Sequence, residues 1–87
     1  MKVETKHGTF DVPEITFAKR RELHKLEIQS ITNEAEIDRV AFFDILDFIT
    51  NYAFSNPEKE LGKFEDNVID EILMSIYNAY KEVNQKK

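Results

Sequence analysis

The sequence predicts a mainly α domain with a small N-terminal β-hairpin, an α+β fold in which three main helices and one short helix pack as a small bundle. Three observations predict it. Strand-like alternation is confined to Met1–Val12, and helical periodicity organises the apolar residues after it. Only two Gly and two Pro occur in 87 residues, too few for the many tight turns of an all-β architecture. Seven Phe and three Tyr, with a 41% hydrophobic content, supply a core that a disordered chain lacks. The length suits one domain spanning 1–87.

The hairpin is expected over residues 1–13. Val3 and Thr5 alternate with Lys2, Glu4 and Lys6, His7-Gly8 is the expected turn, and Thr9, Phe10 and Val12 resume a β-rich run that Pro13 stops. A two-stranded ribbon is unstable alone, so one face should lie on the helices. Thr16 can cap a helix over 16–30, with Phe17, Leu23, Leu26 and Ile28 on its apolar side. Asn33 and Glu36 form a loose capping box before a long helix over 34–54.

Spacing residues of that long helix about 100° apart places Ile37, Ala41, Ile45, Phe48, Ile49 and Tyr52 within one half of the circle. Asp44, Asp47 and Asn51 mark the polar side. Val40, Phe43 and Phe54 also fall on the polar side, as apolar residues the main face cannot bury. Asn56-Pro57-Glu58 reads as a cap, a proline at the first helical position and acid in the first turn, so a short helix is expected over 57–61, ended by Gly62. The last helix is expected over 64–83, on a stripe of Val68, Ile69, Ile72, Leu73, Ile76, Ala79, Tyr80 and Val83, with Met74 and Tyr77 outside it; residues 84–87 should fray.

Charge and composition narrow the function. Net charge is −5, and residues 1–43 hold 7 basic and 8 acidic groups against 5 and 9 in residues 44–87, so the second half carries −4 of it. Such a surface repels phosphate backbones, which disfavours general nucleic-acid binding. Lack of cysteine removes thiolate catalysis, thiolate metal sites and disulfides. MKVETKHG has no signal-like apolar stretch, and no run approaches the ~20 apolar residues a membrane span needs. A soluble, cytoplasmic protein with no membrane partner is expected.

No catalytic grouping emerges, so no enzyme activity, cofactor or metal is expected. His7 and His24 lack metal-ligand spacing, the two glycines form no phosphate-cradling loop, and no G-x-S-x-G occurs. Asp44/Asp47 and Asp66/Asp70 share helix faces, but solvated carboxylates explain them better than a hard-cation site, which needs more oxygen ligands. The basic patch Lys19, Arg20, Arg21 and Lys25 could meet an acidic partner or nucleic acid, or lie in solvent. The apolar surplus is the sharper signal. Val40, Phe43, Phe54, Met74 and Tyr77 are the candidate partner-binding residues, needing cover from the hairpin, another subunit (a homo-oligomer) or a client.

The run GTFDVPEITFAKRREL (Gly8 to Leu23), the aromatic-rich middle helix, the N-P-E turn and the acidic last helix with IDEILMSIYNAY (Ile69 to Tyr80) together resemble the small tail assembly chaperones of tailed bacteriophages. The resemblance covers most of the chain and is one of pattern, size and acidity rather than of a diagnostic motif; baseplate-assembly proteins share some of it. It implies a non-enzymatic viral protein of the bacterial host cytoplasm that binds the tape measure protein, helps recruit tail tube subunits, often self-associates and is absent from the finished particle. It transfers no site residues. The alternative expectation is a small phage or bacterial regulator that binds a host protein or nucleic acid through Lys19–Lys25.

Overall fold

The computed structural model describes the backbone over residues 1–30 and 39–85, and side chains over 1–30 and 42–82. The element order is β1 (Lys2–Thr5), β2 (Gly8–Asp11), α1 (Phe17–Ser30), α2 (Arg39–Ala53), α3 (Pro57–Leu61) and α4 (Asp66–Gln85). The fold is mainly helical with an antiparallel N-terminal hairpin. The expected helix start at Glu34, with its Asn33–Glu36 cap, lies outside the described residues.

The hairpin register pairs Val3 with Phe10 and Thr5 with Gly8, so the turn is Lys6-His7, one residue earlier than the expected His7-Gly8. Gly8 instead opens β2 at φ 125°, a conformation that side-chain-bearing residues rarely adopt. The Thr5 hydroxyl closes the turn, accepting from His7 N at 3.0 Å and donating to Gly8 O at 2.8 Å. Val3 and Val12 turn inward and join the core.

Local signals set the helix starts. Thr16 Oγ1 accepts from Lys19 N at 3.2 Å, capping α1. Asn56 Oδ1 accepts from Lys59 N while Glu60 reaches back to Asn56 N, both at 3.3 Å, a reciprocal cap for α3 with Pro57 at its first position. α4 begins at Asp66, two residues later than expected, because Phe64 N bonds Leu61 O in a turn and the Phe64 ring packs toward Phe10. It also runs on to Gln85, past the expected end at Val83.

The helices pack in sequence, α1 on α2 and α2 on α4, with β1 against α4. Ile45 and Ile49 of α2 meet Ile72, Ile76 and Tyr80 of α4 at the centre, all essentially without solvent contact. Two tyrosines tie down the strap between hairpin and α1. Tyr80 donates to Pro13 O and Tyr52 to Glu14 O, both at 2.7 Å. Burial pushes the Tyr80 hydroxyl up to about 12, and neighbouring Tyr52 adds to it. No helix of the described residues is long and apolar enough to cross a membrane.

One expectation about α1 is corrected. Phe17, Leu23, Leu26 and Ile28 do not share a side. Leu23 is buried and Leu26 half-buried against the bundle, whereas Phe17 is 72% and Ile28 60% exposed. At about 100° per residue, Leu26 stands roughly 180° from Phe17, so one face cannot hold both.

Candidate functional site

The candidate residues separate into three environments. Phe43 is exposed (57%) at the lip of a groove of about 350 Å³ between α2 and α4. Leu46 and Thr50 of α2 and Ile69 and Leu73 of α4 form its walls, and Asp47, Asp66 and Asp70 stand around it. The i,i+3 and i,i+4 spacings on two neighbouring helices assemble this arrangement, with Phe43, Leu46, Asp47 and Thr50 on one face of α2 and Asp66, Ile69, Asp70 and Leu73 on one face of α4. Three carboxylates and no cation line the groove. Its chemistry is apolar contact within a negative surround.

Phe54 and Tyr77 do not belong to an open surface: among the covers expected for them, it is the chain itself that supplies one, which removes both from the candidate partner-binding residues. Phe54 is 5% exposed. α2 ends at Ala53, so the Phe54 ring leaves the helical wheel and turns under the hairpin, edge-on to Phe10 at 6.1 Å. Tyr77 is 7% exposed. Phe42 packs edge-on to it at 6.4 Å, its hydroxyl hydrogen-bonds the Glu27 carboxylate, and Lys81 lies 5.3 Å over its ring and 3.3 Å from Glu27. Burial, then the Glu27 bond and charge, push the Tyr77 hydroxyl well above its ordinary value. Met74 is half-buried in a second cleft with Lys6, Glu71 and Ser75, and Asp70 borders both clefts. The side chain of Val40 lies outside the described residues.

The basic patch is divided rather than continuous. Lys19 pairs with Glu22 at 3.4 Å and lies 6.0 Å over the Phe48 ring, and the Arg20 guanidinium lies 5.4 Å over Phe17. Arg21, His24 and Lys25 are exposed, and Arg21 and His24 border a cleft between α1 and α4 that Tyr80 and Lys81 also line. His7 Nε2 meets Glu71 Oε2 at 2.7 Å, joining the hairpin turn to α4. The hydrogen bond from His7 holds the Glu71 carboxyl below its ordinary range, opposed by loss of solvation and aided by the His7 and Lys6 charges. Among the described residues, no group of three His, Cys, Asp or Glu side chains is placed to hold a metal ion.

The sequence reading missed two kinds of site residue. Phe17 and Ile28 are exposed apolar residues whose separation of 11 positions returns to the same helix face, a periodicity that distinguishes them from Leu23 and Leu26. Leu46, Ile69 and Leu73 were assignable to the core by pattern, but their shared groove depends on how α2 and α4 sit together. No protein-family model, curated protein or solved structure matches this chain.

Proposed function

We propose that this chain is a non-enzymatic binding protein that acts as a phage tail assembly chaperone, holding the tape measure protein and helping to recruit tail tube subunits in the bacterial cytoplasm. The observation that carries the binding role is Phe43, an aromatic ring more than half exposed beside an apolar groove. An amphipathic client helix laid along α2 and α4 would cover the ring, a helix-in-groove mode that requires no chemistry from the chain. The phage assignment rests on the resemblance of Gly8–Leu23, the N-P-E turn and Ile69–Tyr80. The net charge of −5 favours solubility of the chaperone and of its complex.

Co-expression with a tape measure protein tests the reading. Wild type should keep that protein soluble and co-purify with it, and Phe43→Asp should lose both while remaining folded. Undiminished capture by Phe43→Asp would reject the groove as the client site.

The regulator reading draws on a different observation, the exposed Arg21, His24 and Lys25 side chains on α1. It predicts that Arg20→Glu/Arg21→Glu abolishes partner binding while Phe43→Asp leaves it unchanged.

A further inference from the structure

The cleft between α1 and α4 has a volume of about 110 Å³ and shares no residue with the Phe43 groove. Arg20, Arg21 and His24 of α1 and Lys81 of α4 border it, over the buried Leu23 and Tyr80. At about 100° per residue, Arg20, Leu23, His24 and Glu27 fall within one sector of α1 roughly 100° wide, with Arg21 some 60° beyond it, so the helix itself gathers them. Lys19 faces elsewhere, engaged with Glu22 and the Phe48 ring. Glu27 brings a carboxylate to the cleft, but Lys81 lies 3.3 Å from it and the Tyr77 hydroxyl donates to it. Three cations against that one carboxylate leave a local formal surplus of +2, in a chain whose net charge is −5.

We propose that this cleft binds a phosphate group, with Arg21 and His24 donating to its oxygens and Arg20 and Lys81 supplying charge from its two sides. The arginine fork matches phosphate oxygens in geometry and keeps its charge at any physiological pH. The volume equals three or four waters at ~30 Å³ each, room for one tetrahedral oxyanion and little else. Carboxylates beyond the Debye length of about 8 Å at physiological salt are largely screened, so the adjacent cations decide despite the acidic chain. The site also couples two helices. α1 packs on α2 and α2 on α4, and Glu27 ties α1 to α4 directly through Lys81 and Tyr77. A phosphate held from both sides adds a second tie across the same gap, so its binding stabilises the fold. None of this rests on the client groove.

Nuclear magnetic resonance of the full chain, titrated with inorganic phosphate at constant ionic strength set by chloride, tests the proposal. Shifts should centre on residues 20–27 and 80–81, include the His24 ring, and saturate at millimolar phosphate, the strength about two charge-assisted hydrogen bonds confer. Arg21→Gln and His24→Gln should each weaken binding roughly tenfold. Lys25→Gln makes the same charge change as Arg21→Gln outside the cleft and should leave binding nearly unchanged. Phosphate should also raise the melting temperature of wild type more than that of Arg21→Gln, a comparison that removes the general stabilisation phosphate gives folded chains. Glycerol phosphate distinguishes the source. Binding as tight as that of inorganic phosphate assigns the cleft to an ester-borne group whose remainder projects from the mouth, and much weaker binding assigns it to the free ion. Shifts that grow without saturating, or that chloride alone reproduces, would overturn the proposal. Equal weakening by Lys25→Gln and Arg21→Gln would overturn it too, by reducing the effect to overall charge.

Discussion

Phe54 and Phe43 belong to the same surplus of aromatic residues around α2, yet they meet opposite fates. At the Phe54 end, the Phe10 ring packs against both Phe54 and Phe64, and the strap leading to α1 is pinned by Tyr52 and Tyr80. At the Phe43 end the groove between α2 and α4 stays open, ringed by Asp47, Asp66 and Asp70. The hairpin is the difference. It is a cover for one end of the bundle, bought with twelve or so residues of chain, and nothing among the described residues covers the other end in the same way. An exposed aromatic in one region and a buried one in the other therefore separate an open surface from the packed core at the two ends of α2.

The largest expected effect is at the covered end. Phe54→Ala removes a ring buried among Phe10 and the core, and should cost about 3–5 kcal/mol in chemical denaturation. In a small domain with a thin margin, that loss would leave much of the protein unfolded at physiological temperature. A loss below about 1 kcal/mol would place Phe54 outside the core. Tyr80→Phe comes next. It removes the hydroxyl bond to Pro13 O and should cost roughly 1 kcal/mol, read as a lower denaturation midpoint with an unchanged slope. Phe43→Asp should change stability by no more than about 0.5 kcal/mol, the range of substitutions away from packed features.

The smallest effect concerns the hairpin turn. The folded state holds Glu71 below its ordinary value of 4.5, so its ionised form is favoured on folding. That contribution is present above pH 4.5 and is lost as pH falls through the lowered folded value. Glu71→Gln should therefore melt slightly below wild type at neutral pH, and the two curves should converge in acid. A gap that widens in acid would contradict the His7–Glu71 assignment.

The covered and open ends were unequally legible in the sequence. Thr16 and Asn56-Pro57 are local signals, and they placed the starts of α1 and α3 without tertiary information. The hairpin was also legible, although the turn shifted by one residue because Gly8, with its positive φ, opens β2 rather than filling the turn. Phe54 was not, because its direction depends on α2 ending at Ala53, and a wheel drawn through residue 54 puts the ring in solvent. Tyr77 lies off the main stripe of α4, and Phe42 together with Glu27 of α1 covers it from neighbouring helices that a single-helix wheel omits. The exposure of Phe43 follows from its position among Asp44, Asp47 and Asn51, which the wheel does capture. The groove beside it needed the α2–α4 contact.

The binding role of the open end is tested most directly by one paired measurement on Phe43→Asp, its denaturation midpoint and its retention of a tape measure protein in the same preparation. A midpoint close to that of wild type with retention lost is the predicted result. A folded variant that retains the tape measure protein as well as wild type does would contradict it.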